Sequence, residues 1–143
     1  MDGDRAKVRT EVRMTYDDHR IYLSAICFNS GIPGPYLVES LKRDWSFTKN
    51  DNFIFFIDPF DARTDGFTFG ANAEGAQWDG SMYSGGSVDL NWDNKWSSSV
   101  KNYPNKYQLF DLEMWMWRLF IFKFFLDKII IFLKLQIIYL KRK

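Results

Sequence analysis

Tryptophan is the residue type with the most chemistry to offer in this chain of 143 residues, which carries six of them. Trp45, Trp78, Trp92 and Trp96 each lie close to planar hydrogen-bonding groups, in the runs Arg43-Asp44-Trp45, Gln77-Trp78-Asp79 and Asn91-Trp92-Asp93-Asn94-Lys95-Trp96. An indole presents a wide apolar face with an N–H at its rim, and carboxylate, amide and guanidinium groups pair with hydroxyls. A sugar ring needs both. The pattern predicts a platform of Trp45, Trp78, Trp92 and Trp96, with Arg43, Asn72, Gln77 and Asp79 as polar partners. The competing reading is packing: the indoles cover the ends of a β-sandwich, Asn72, Gln77 and Asp79 cap turns, and Arg43 with Asp44 forms a surface ion pair of little weight.

Asp58, Asp61 and Asp65 surround one turn and are hard oxygen donors, so they are the candidate calcium ligands. Their spacing lacks the one-three-five pattern and closing glutamate of a dedicated calcium loop, and turn formation competes. No cofactor other than calcium is suggested. Catalysis leaves no comparable signature. A glycosidase needs two carboxylates flanking one bond, and no motif singles out a pair. His19 sits between charged residues in a turn, with no nucleophile assigned to it. Gly70 to Gly75 lacks the spacing and following helix of a nucleotide loop.

The lone Cys27 cannot close an intrachain disulfide, and reads as a small apolar residue within a strand. Nineteen basic residues balance eighteen acidic ones, for a net charge of +1. That balance builds no field for nucleic acid. The start, Met1-Asp2-Gly3-Asp4-Arg5, has no apolar core of a signal peptide. The expectation is a protein that is not exported, or a longer one whose start lies upstream.

The elements that must hold these residues read as strands. Residues 1–9 are a polar lead-in. Thr10 to Tyr16 alternates, with Val12, Met14 and Tyr16 on one face; Asp17 to Arg20 turns; Ile21 to Phe28 returns as an apolar strand. Residues 29–35 are a loop of breakers. Tyr36 to Trp45 fits one helical turn or an irregular edge strand. Phe53 to Asp58 is a strand buried on both faces, stopped by Pro59. Phe67, Phe69 and Ala71 share a face of the next strand, Gln77 to Tyr83 pairs back after a turn at Glu74-Gly75, and Trp92 to Val100 leads towards another strand. Breakers recur about every 8–12 residues, the spacing of a sandwich or barrel.

From Asp111 the composition shifts to Phe, Ile, Leu, Lys, Met and Trp, without Gly, Ala, Ser, Thr, Val, Asn or Pro. Arg118, Lys123, Asp127, Lys128 and Lys134 interrupt every run short of the about 18 uncharged residues of a membrane span. An amphipathic helix contacting a membrane fits poorly, because Ile129 to Phe132 spoils a narrow polar face. A shifted reading frame in AT-rich DNA also yields this vocabulary. The tail, 111–143, is expected to be helical and is set apart from the sandwich, 10–110.

The order Thr10-Glu11-Val12-Arg13, Tyr16-Asp17-Asp18, Ile21-Tyr22-Leu23, Arg43-Asp44, Asp51-Asn52, Phe56-Ile57-Asp58-Pro59-Phe60, Phe69 to Gly80, and Trp92-Asp93 with Trp96 resembles the family 9-like carbohydrate-binding module. It looks most like the version that precedes a predicted outer-membrane β-barrel in large bacterial proteins. The likeness spans roughly residues 7–108. It implies a mainly β, antiparallel, jelly-roll-like sandwich that binds an oligo- or polysaccharide. It also implies a parent that is exported, placed in the periplasm, outer membrane or outside the cell, and linked to carbohydrate catabolism, often beside a hydrolase of glycosyl bonds. The family begins with further strands before residue 7 and continues with a strand and an Ile-Pro-Phe segment after residue 106, so the sandwich here is expected to be incomplete. The alternatives are an auxiliary domain of a glycosidase and a membrane-associated structural module.

Overall fold

A computed structural model describes residues 9–28, 35–59, 63–103 and 107–115. Among these residues eight strands form two antiparallel sheets. Sheet A has the order β1 (Thr10–Tyr16), β2 (Arg20–Phe28), β8 (Tyr107–Trp115), β7 (Trp96–Tyr103). Sheet B follows chain order: β3 (Asn52–Ile57), β4 (Gly66–Asn72), β5 (Gln77–Tyr83), β6 (Ser87–Asp89).

The first hairpin closes as its residues predict. Asp17 accepts from the main-chain N–H groups of His19 and Arg20 and from the Tyr22 hydroxyl, so one carboxylate stabilises the reversal. In β2 the alternation is strict: Ile21, Leu23, Ala25 and Cys27 are buried and point towards sheet B. They meet Phe53, Phe55 and Ile57 of β3, Phe69 and Ala71 of β4, Trp96 of β7 and Leu112 of β8 in one core. Phe55 stacks on Phe69 at 5.7 Å between ring centroids.

Strand β3 is buried on both faces because a second apolar layer covers the outside of sheet B. Ile54 packs there with Trp45 and Trp78, flanked by Phe56, Ala76 and Val88. Gly70 permits this close approach: a Cβ at that position would lie 2.6 Å from Ile54 Cγ1 and 2.9 Å from the Phe53 carbonyl. The cover comes from residues 35–50, which form neither of the predicted elements. They run as bends ending in a 3-10 turn, Phe47–Lys49. Side chains replace the missing ladder. Asp51 and Asn50 accept from the N–H groups of Leu37 and Glu39, and Asn72 Nδ2 donates to the Ser40 carbonyl.

The tail expectation is corrected at its start. Asp111–Trp115 are not helical and not outside the sandwich; they complete β8, which pairs with β2 on one side and β7 on the other. The physical reason is the local period of two: Leu112 is buried in the core while Asp111 on the opposite face is exposed. Residues 116–143, the rest of the predicted helical tail, lie outside the described residues. Among the described residues no helix is long and apolar enough to cross a membrane.

Candidate functional site

Arg43 is the centre of the predicted polar constellation. It leaves the covering loop just before Asp44, whose positive φ of 56° reverses the chain, and the Asp44 N–H donates to the Gln77 carbonyl. The guanidinium then reaches the inner side of β5. Nη1 donates to Gln77 Oε1 at 2.9 Å, Nη2 donates to Asp79 Oδ1, and Nε lies 3.0 Å from Asp93 Oδ1. Asp79 is fully buried and its second oxygen accepts from the Asn94 N–H at 2.9 Å. Gln77 Nε2 donates to the Trp96 carbonyl. Burial pushes the Asp79 carboxyl above its ordinary range, against the pull of the Asn94 N–H, Arg43 and the nearby Trp96 indole, and the Asp44 charge adds to the rise. Burial likewise raises Asp44, whose Oδ1 is buried without a hydrogen-bond partner.

The fold thus brings Arg43, Gln77 and Asp79 together, as the sequence suggested, but turns them inward. Arg43 fastens the loop to β5 and to the segment before β7. Asn72 is fully buried and its side chain is spent within the fold: Oδ1 accepts from the Glu74 and Ala76 N–H groups in the local chain reversal, and Nδ2 holds the Ser40 carbonyl of the covering loop. Gly75, at a φ of 84°, completes that turn.

The four indoles do not make one platform. Trp45 and Trp78 lie 6.3 Å apart in the outer apolar layer, 3% and 5% exposed, and Trp45 Nε1 donates to the Ala76 carbonyl at 2.8 Å. Trp96 is buried in the sandwich core, edge-on to Phe69. Trp92 is half-buried and stacks on Phe67 at 4.6 Å. Packing accounts for the position of each. Of the calcium candidates, Asp58 accepts from the Arg63 N–H and Asp65 from the Thr64 hydroxyl, while Asp61 lies outside the described residues. No group of three metal-ligating side chains occurs among the described residues.

A second arrangement was not singled out from the sequence. The outer face of sheet A carries a groove of about 530 Å³. Strand register defines it. One row of paired residues is Arg13, Ser24, Asp111 and Ser99, and the next row on that face is Thr15, Tyr22, Glu113 and Ser97. Between them runs the main chain of Met14, Leu23, Leu112 and Ser98, which line the same groove. The groove is a trough crossing all four strands, roughly 14 Å at ordinary strand spacing. Its walls carry hydroxyls and carboxylates. Glu113 is held by Arg20 at 3.1 Å, and Tyr22 by Asp17 at 2.8 Å. Asp111, Ser97 and Ser99 are exposed. The signal for this site was present as polar residues two apart in four stretches, but nothing local says that β8 slots between β2 and β7.

The chain matches no protein-family model, no curated protein and no solved structure. The likeness to the family 9-like module rests on the residues that carry it.

Proposed function

We propose that the chain is a non-catalytic carbohydrate-binding module whose ligand, a segment of an oligo- or polysaccharide, lies in the trough on sheet A. The observation that supports this reading is the pair of cross-strand rows. They set the Thr15, Ser24, Ser97 and Ser99 hydroxyls, the Asp111 and Glu113 carboxylates and the Tyr22 ring along one shallow channel. Sugar hydroxyls both donate and accept, and a row of fixed acceptors and rotatable hydroxyls satisfies them. A binding role fits better than hydrolysis. A general acid needs a carboxyl withdrawn from water, and Asp111 is exposed. Such contacts need no metal ion, so a chelator should leave affinity unchanged. By its resemblance, the module serves a larger exported bacterial protein that processes glycans.

Calorimetric titration of the full chain with cellulose and xylan oligomers tests the proposal. Heat of binding is expected at millimolar sugar, with no cleavage of the oligomer, and Asp111→Ala together with Ser99→Ala should abolish it. Absence of binding by a folded sample overturns the reading. Binding that survives the double substitution overturns the trough as its seat.

A further inference from the structure

Among the described residues β1 is an edge of sheet A, pairing with β2 and with no other described strand. Its hydrogen-bond parity follows from the hairpin. Asp17 N–H donates to the Arg20 carbonyl, and Phe28 N–H to the Arg9 carbonyl. Odd-numbered residues of β1 therefore direct their main-chain groups to β2, and Thr10, Val12, Met14 and Tyr16 direct theirs away from the sheet. The same four side chains lie on the inner face, since Val12, Met14 and Tyr16 oppose Ala25, Leu23 and Ile21. Val12 packs against the core, but Met14 is 36% and Tyr16 48% exposed. The edge has no proline, glycine or bulge to blunt it. Its outer face carries Glu11 and Arg13, charges of opposite sign two residues apart.

We propose that β1 pairs antiparallel with β1 of a second copy of this chain, about a two-fold axis at Val12. Parity requires even residues to oppose even residues, which this register does: Val12 meets Val12, and Thr10 meets Met14. Glu11 of each copy then meets Arg13 of the other, twice. These fall at the non-hydrogen-bonded positions, where facing side chains approach most closely. An axis at Glu11 or at Arg13 sets like charges opposite each other, and an axis at Met14 sets Glu11 against Asp17. An axis at Thr10 also sets unlike charges face to face, Glu11 against Arg9, but no described residue of the second copy then covers Met14 and Tyr16. The charge pattern excludes the axes at Glu11, Arg13 and Met14, and the Val12 register also extends the apolar inner face and engages the outward-pointing main-chain groups of Thr10, Val12 and Met14.

Sedimentation velocity on the full chain, with circular dichroism as the control for folding, tests the pairing. The parent chain and the double variant Glu11→Arg/Arg13→Glu are expected to sediment as dimers. Glu11→Arg alone and Arg13→Glu alone, which set like charges face to face, are expected to sediment as monomers. In amide exchange, Thr10, Val12 and Met14 should gain protection as concentration rises. A monomeric parent chain, or single variants that remain dimeric, overturns the proposal. So does protection of those amides that ignores concentration, which would mean that this chain covers its own edge.

Discussion

Arg43 and Asp79 stand 36 positions apart in the chain, yet the guanidinium of one is bonded to the fully buried carboxylate of the other. This contact closes the covering loop over sheet B and holds the loop end against β5. Through Gln77, which bonds both Arg43 and the Trp96 carbonyl, it also ties sheet B to the first residue of β7.

Arg43→Ala strands a buried charge. Removing one partner of a buried pair costs about 3–5 kcal/mol, and the 35% exposure of the Arg43 side chain sets the expected loss near the lower end. Urea unfolding checks it. A midpoint like the parent's would show that Asp79 does not depend on Arg43. Asp79→Asn should cost less, because the charge left behind is that of Arg43, which is 35% exposed and still paired with Asp93.

Stability should respond to pH through the same group. Asp79 and Asp44 have carboxyls held above their ordinary value of 3.8, chiefly because burial disfavours the charged form. Between that value and the raised one the folded chain binds more protons than the unfolded chain, so their contribution to stability falls as pH rises. Asp17 acts in the opposite sense. The His19 N–H, first among its partners, lowers its carboxyl, and the stability it brings is lost as pH falls through the folded value. The urea midpoint of the parent relative to the Asp44→Asn/Asp79→Asn variant is therefore expected to decline from about pH 4 towards neutrality. A difference independent of pH would rule out the raised values.

Stability and sugar affinity should separate by site. Trp78→Ala empties the outer apolar layer and is expected to cost about 3–5 kcal/mol. Asp111→Asn lies on the exposed wall of the trough, so its effect on unfolding should stay within about 0.5 kcal/mol. If Asp111 accepts from a sugar hydroxyl, the loss of a charged acceptor lowers affinity about tenfold. Paired unfolding and titration measurements decide it. A Trp78 variant that keeps its stability but loses sugar would return the site to the indoles.

Cys27 should be inert while the chain is folded. It is 2% exposed in the core, and burial pushes its thiol up to about 12, so almost no thiolate is present at neutral pH. An aromatic disulfide reagent is expected to label it only after denaturant is added, in step with unfolding. Rapid labelling of native protein would contradict its position in β2.

Much of this architecture was legible in the residues themselves. Alternation marked β1 and β4, an apolar run marked β2, the run Phe53 to Asp58 announced a strand covered on both sides, and Asp17 with its neighbours announced the first turn. These are local consequences of a period of two and of side chains that bond their own backbone. The polar cluster was legible as composition, because Arg43, Gln77 and Asp79 are the residue types that form such networks. Its direction was not. Whether an indole or a carboxylate faces water depends on what packs over it, and residues 35–50 reach Trp45 and Trp78 only through the folded loop. The same holds for Asp111 to Trp115, whose apolar neighbours suggested a separate tail until pairing with β2 and β7 claimed them. The trough is wholly tertiary. Its rows draw one residue from each of four strands, and hydrogen-bond register between distant segments, which no single stretch encodes, sets them side by side.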